Sequence, residues 1–242
     1  MQDITIFRDE LRSLDGDLFL CHLFTPDERR TDMLTLYSIY ADSARIPFIV
    51  SEPMLGAIRY QWWREVIDGK HLDTAPISVF LNASSLPRDL LHKLINAREE
   101  LFDKEEPNLY DIEHSAHEIG IPFMQSALRV LGEDNEDILP EGMLKAAGSG
   151  FELLRLSTAY PGEIQADIVS AAKIKLQTAT VLFNGMPRKH RKLILPAFLI
   201  IGLSKKHAQI DAKIDAKFNA TIDRHPKARS PQGHRAQGAS KR

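Results

Sequence analysis

The sequence predicts an all-α helix bundle, and three observations carry that prediction. Apolar residues recur at spacings of three and four along most of the chain. Proline, capping residues and glycine punctuate those runs where helices start and stop. Only the short run 77–81 is open to a strand reading, since no alternating pattern competes elsewhere.

The first strong helix signal is Thr25-Pro26-Asp27-Glu28. Here Thr25 is the expected N-cap, Pro26 the first helical residue and Glu28 the partner that closes a capping box. Met33, Leu36, Tyr37, Tyr40, Ala41 and Ala44 then share one face, and Pro47 is expected to stop or bend the helix. Ser51-Glu52-Pro53 opens the next helix. Its expected buried stripe is Leu55, Ile58, Arg59, Trp62, Trp63, Val66 and Ile67, with Gly69 as the C-terminal signal. Further amphipathic segments carry Leu90, Leu91, Leu94, Ile95, Leu101 and Phe102, and then Ala116, Ile119, Phe123, Ala127 and Val130. Pro140 precedes a segment with Leu144, Ala147, Gly148, Phe151 and Leu154, and residues 164–183 and 193–203 supply two more helical stretches.

Composition narrows the function classes. A hydrophobic content of 43% with 26% charged residues over 242 residues suits one globular core. The net charge of −2 gives no argument for a nucleic-acid partner. The amino end lacks a basic stretch followed by an apolar one, so the expectation is a protein that is not exported. The apolar run 193–203 is too short to span a bilayer, so the expected location is cytoplasmic, with peripheral contact at an inner membrane left open. Cys21, the single cysteine, lies in the apolar run 18–24 and reads as a small buried hydrophobe. From about Ser204 the chain turns polar and basic, which divides it into a helical domain at 1–203 and a tail at 204–242, expected to be mobile or partly helical.

Several common chemistries have no motif here: no glycine-rich phosphate loop, no paired CxxC and no GxSxG elbow. His114 and His117 lie three apart on a predicted helix, which fits either a polar face or part of a metal site. Glu133, Asp134, Glu136 and Asp137 read as a solvated acidic turn. Arg59 falls on an apolar stripe, where an unpaired guanidinium is costly; it must pair with an acid, stack on an indole or meet an anion. Arg155, next to Leu154, poses the same question. The ligand-binding candidates are Tyr37, Asp42, Arg59, Trp63 and Arg155, with no catalytic residue and no metal ligand assigned.

The run Leu36-Tyr37-Ser38-Ile39-Tyr40-Ala41-Asp42-Ser43-Ala44-Arg45, followed by Ser51-Glu52-Pro53 and Arg59-Tyr60-Gln61-Trp62-Trp63, resembles the amino-terminal signature of the squalene/phytoene synthase family. Residues 146–155 and 193–198 resemble later helices of the same family. The resemblance implies an isoprenoid-synthase-like bundle that joins two prenyl diphosphates head to head, with two aspartate-rich motifs holding Mg²⁺ and diphosphate. This chain departs from that pattern where the chemistry lies. Ala44-Arg45-Ile46-Pro47-Phe48 stands where the first acidic motif belongs, and residues 156–167 lack the second. A block of the usual fold is also expected to be missing after Pro161. The chain therefore resembles most the divergent branch that includes the mitochondrial complex I assembly factor-like proteins, regarded as non-catalytic scaffolds. Three functions follow from the resemblance: a scaffold binding a protein partner or an isoprenoid-like ligand, without a cofactor; an active transferase using Mg²⁺ through Asp42 and a distant acid such as Asp167; or a decayed copy.

Overall fold

A computed structural model describes residues 4–72, 75–132 and 138–222. Among them there are ten α-helices, one 3₁₀ turn and no strand, and the run 77–81 is helical. The helices are α1 (Ile4–Leu14), α2 (Gly16–Leu23), α3 (Arg30–Ile49), α4 (Pro53–Ile67), α5 (Pro76–Ala83), α6 (Arg88–Phe102), α7 (Leu109–Val130), α8 (Met143–Leu156), α9 (Glu163–Gly185) and α10 (Arg188–Ile222). By contact the chain divides into one unit, Met1–Ala208, and a second, Gln209–Arg242. The acidic residues 133–137 and the tail beyond Ile222 lie outside the described residues.

Helix α3 is the organising element. Every residue from Met33 to Ala41 is buried, and α3 touches α1, α2, α4, α5, α6 and α7. Pro47 sits inside its last turn without ending it. The helix ends two residues later, at Ile49. The expected capping box at Thr25 is not formed. Thr25 instead closes α2, its N–H donating to the His22 carbonyl at 3.0 Å, and its hydroxyl has no partner. Residues Asp27–Arg29 make a 3₁₀ turn, and Arg30 ties it down through the Thr25 carbonyl (3.2 Å) and the Asp27 carboxylate (2.6 Å).

Helix α4 ends as its sequence predicts. Gly69 takes φ +80°, its N–H donates to the Val66 carbonyl at 3.1 Å and the Lys70 N–H reaches the Glu65 carbonyl at 2.9 Å, the Schellman arrangement. Its buried face shares only Trp63, Val66 and Ile67 with the expected stripe. Gly56, Tyr60, Trp63, Val66 and Ile67 face inward, while Leu55, Ile58, Arg59 and Trp62 are exposed. The reason lies in α6. The Phe102 ring occupies the space beside Gly56, where an added Cβ would stand 2.2 Å from it, and Tyr60 meets the same ring edge-on at 5.9 Å.

The remaining layers stack α6 on α7, α7 on α8 and α8 on α9. At the α7–α8 crossing the backbones touch: a Cβ on Gly120 would lie 2.1 Å from the Gly148 carbonyl oxygen, and one on Gly148 would lie 2.4 Å from that of Gly120. Only two glycines allow so close an approach. Asn108 and Asp111 form a reciprocal capping box at the start of α7. No helix among the described residues is long and apolar enough to cross a membrane.

Candidate functional site

The close α7–α8 crossing brings Phe123 and Phe151 against Tyr37 and Tyr40 of α3. Phe123 lies 4.2 Å from Tyr40, 5.8 Å from Tyr37 and 5.6 Å from Phe151, centroid to centroid. All four rings are essentially inaccessible to solvent, so the space between α3, α7 and α8 is filled by aromatic carbon.

A buried polar network runs beside these rings. The Tyr40 hydroxyl donates to the Glu152 carboxylate of α8, and Arg98 of α6 meets the other oxygen of that carboxylate at 3.2 Å. The Arg98 guanidinium lies over the Tyr40 ring at 4.6 Å, and Arg155 stacks on Tyr40 and Phe151 at 5.4 Å from each. Arg155 also pairs with Asp15 at 2.5 Å, while the other oxygen of Asp15 caps α2 by accepting from the Leu18 N–H at 2.9 Å. Burial, and then the neighbouring Glu152 charge, push the Tyr40 hydroxyl well above the ordinary tyrosine range. It therefore stays protonated and serves as a donor. The Arg98–Glu152 pair is withdrawn from water on both sides, so each charge depends on the other.

The opposite face of α3 borders a cleft of ≈ 190 Å³, shared with α1, α4 and α5. Phe7, Glu10, Ser38, Asp42, Trp62 and Trp63 contribute to its walls. Asp42 is half-buried and pairs with Arg45 at 3.4 Å. The Ser38 hydroxyl is buried without a hydrogen-bond partner.

The predicted candidates thus separate. Asp42 and Trp63 meet in the cleft, Tyr37 lies in the aromatic core, and Arg155 joins the buried network through Asp15 and Tyr40. Arg59 requires a correction: it is exposed on α4, so the burial cost that singled it out does not arise. Two residues of the network, Arg98 and Glu152, were not singled out by sequence. Arg98 follows Leu94 by four and Ile95 by three, the same signature of a charge on an apolar face. Cys21 is buried and its thiol is pushed up to about 12 by burial and by Asp17 and Asp15, so it stays an unreactive thiol. His114 stacks on Tyr110 at 6.3 Å and His117 faces Glu118 at 3.8 Å; among the described residues, no group of three or more His, Cys, Asp or Glu side chains could hold a metal ion.

Mg²⁺ with diphosphate, which the family pattern implies, requires oxygen ligands converging from facing helices. The acids of α3 and α8 do not fit that requirement. Asp42 opens onto the cleft and is paired with Arg45, whereas Glu152 is taken by Arg98 and Tyr40.

The chain belongs to the squalene/phytoene synthase family, which residues 11–158 match. Among curated proteins it is similar to the NADH dehydrogenase (ubiquinone) complex I assembly factor 6 of Bos taurus, 29% identical over 130 residues, and to that of Homo sapiens, 27% identical over 130 residues. Each alignment covers 50% of this chain and 39% of the relative, so the chain spans about two fifths of the relatives' length. No solved structure matches the chain significantly.

Proposed function

We propose that this protein is a squalene/phytoene synthase-like scaffold that has lost Mg²⁺-dependent prenyl transfer and acts by binding a protein partner in the assembly of respiratory complex I. One observation carries the reading: Glu152, the carboxylate of the inner face of α8, is bound by Arg98 and Tyr40 in a space closed by four aromatic rings. Freeing that carboxylate for a metal would leave the Arg98 charge buried without its partner. The name of the bovine and human relatives supplies the complex I part of the reading.

The corner between α3 and α4 supplies a surface for such a partner. Phe48 (64% exposed), Ile49, Met54 (73%), Leu55 and Ile58 (58%) are all exposed there, and large exposed apolar groups gathered at one place mark interaction sites. The active-transferase reading finds less support, since Asp167 is exposed on α9 while Asp42 is engaged by Arg45 on α3. Decay fits poorly with a continuous core that runs from Leu11 to Ile201.

The test is the melting temperature of the full chain with Mg²⁺ and inorganic diphosphate together. A ligand that binds only the folded state at one hundred times its Kd stabilises by about 2.7 kcal/mol. The proposal predicts no shift, and a saturable rise would overturn it.

A further inference from the structure

The α1–α3–α4–α5 cleft carries recognition chemistry that neither the buried network nor the α3–α4 corner uses. Trp62 and Trp63 form two of its walls, set edge to face with centroids 4.9 Å apart and planes at 73°. Indole faces attract cations more strongly than any other side-chain ring. Two carboxylates, Glu10 of α1 and Asp42 of α3, also line the cleft, and Arg45 pairs with Asp42 at 3.4 Å. Of the basic groups on or next to the same elements, Arg8 pairs with Asp9 at 3.7 Å, His71 pairs with Glu65 at 2.9 Å, and Arg12 keeps its charge over the Phe19 ring at 5.7 Å. His71 also stacks on the Trp62 ring at 6.0 Å, which leaves Trp63 as the indole less covered by a basic group. The Glu10 carboxylate, which makes no ion pair among the described residues, thus lines the cleft together with two indoles.

Ser38 adds an independent sign of a ligand. It is 8% exposed, forms part of the cleft wall, and its hydroxyl has no hydrogen-bond partner. A buried hydroxyl left unpaired costs free energy that a bound donor or acceptor would recover. The volume, ≈ 190 Å³, falls below the roughly 300–1,000 Å³ of sites for drug-sized molecules, so the occupant is a group of a few heavy atoms. An anion would meet two carboxylates, and a neutral apolar group would desolvate them without compensation.

We propose that this cleft binds an alkylammonium group. That chemistry has two sources, the side chain of a lysine on a docked partner or the headgroup of a small molecule, and the cleft recognises what they share. The proposal stands whether or not the chain carries out prenyl transfer.

Both tryptophans of the chain wall the cleft, so intrinsic fluorescence reports on it directly. The full chain is titrated at constant ionic strength with tetramethylammonium chloride, n-butylammonium chloride and, as a neutral isostere, neopentyl alcohol. The expected result is a saturable emission change with at least one ammonium salt and a response to the alcohol about tenfold weaker or more. Glu10→Gln, at an exposed position on α1, weakens ammonium binding about threefold or more and leaves the alcohol response unchanged. Preference for butylammonium, whose N–H groups can reach the Ser38 hydroxyl, supports a lysine side chain as the source; preference for tetramethylammonium, which has none, supports a quaternary headgroup held by the indoles and carboxylates without Ser38. Equal responses to alcohol and ammonium, no saturable change, or affinity unaltered in both Glu10→Gln and Asp42→Asn would overturn the proposal.

Discussion

Gly148→Ala tests the packing on which the aromatic core depends. The added methyl would stand 2.4 Å from the Gly120 carbonyl oxygen, 2.5 Å from its carbon and 2.9 Å from the Ile121 nitrogen. All three atoms belong to the backbone of a helix, so none can swing aside as a side-chain terminus would. Restoring ordinary carbon contacts of about 3.5 Å requires α7 and α8 to part by roughly 1 Å, which also loosens Phe123 against Phe151. Overpacking of a tight core costs about 1–3 kcal/mol, and the rigid obstacle places this case at the upper end. Alanine's better helix propensity returns about 1 kcal/mol. The net destabilisation is about 2 kcal/mol, which for a chain of this size lowers Tm by roughly 4–8 °C. Thermal melts followed by far-ultraviolet circular dichroism measure it, with Gly202→Ala as the control. Gly202 lies in α10 with nothing within 4 Å of its added Cβ, so that substitution should stabilise slightly. A Gly148→Ala protein that melts at or above the wild-type temperature would refute the reasoning.

Two further outcomes follow from the buried charges. Glu152→Gln leaves the Arg98 guanidinium buried without a counter-charge and should cost about 3–5 kcal/mol in denaturant unfolding, whereas Arg98→Leu combined with Glu152→Leu should recover most of that loss; equal costs for the single and double variants would contradict the pairing. Burial, with Arg30 and Arg8 nearby, lowers His22 to about 4 from its usual 6.5. Because the folded value is the lower one, the unfolded chain takes up a proton first; the stability from neutral His22 is full above about pH 6.5 and is lost as pH falls toward 4. By pH 5 the loss is about 2 kcal/mol at 1.36 kcal/mol per unit, and His22→Gln should flatten the decline, as unfolding midpoints at pH 7 and pH 5 would register.

Helices α3, α4 and α6 to α10 were legible because each carries its own periodicity and several carry their own terminators, Gly69 among them, whereas the short α1, α2 and α5 were not legible as helices. The orientation of α4 was not. Met54, Leu55, Ile58, Tyr60, Trp62, Trp63, Val66 and Ile67 spread apolar character over so wide an arc that local pattern leaves the rotation undecided. Phe102, far along the chain, packs so closely on Gly56 that a Cβ there would stand 2.2 Å from its ring. Thr25 failed as a cap for a related reason: its residue type suits a helix start, yet its backbone was needed to close α2. Arg98 was readable by the argument applied to Arg59, a charge on an apolar stripe. Its partner Glu152, 54 positions later, could be assigned only once α6 and α8 were placed side by side.

We propose that this family member has lost prenyl transfer because its buried carboxylate Glu152 is taken by Arg98 and Tyr40. The most direct measurement incubates the purified chain with farnesyl diphosphate or geranylgeranyl diphosphate and Mg²⁺ and assays the organic extract for a head-to-head condensation product. The account predicts unreacted diphosphates and no such product. Time-dependent formation of the condensed hydrocarbon, lost in Asp42→Ala, would contradict it.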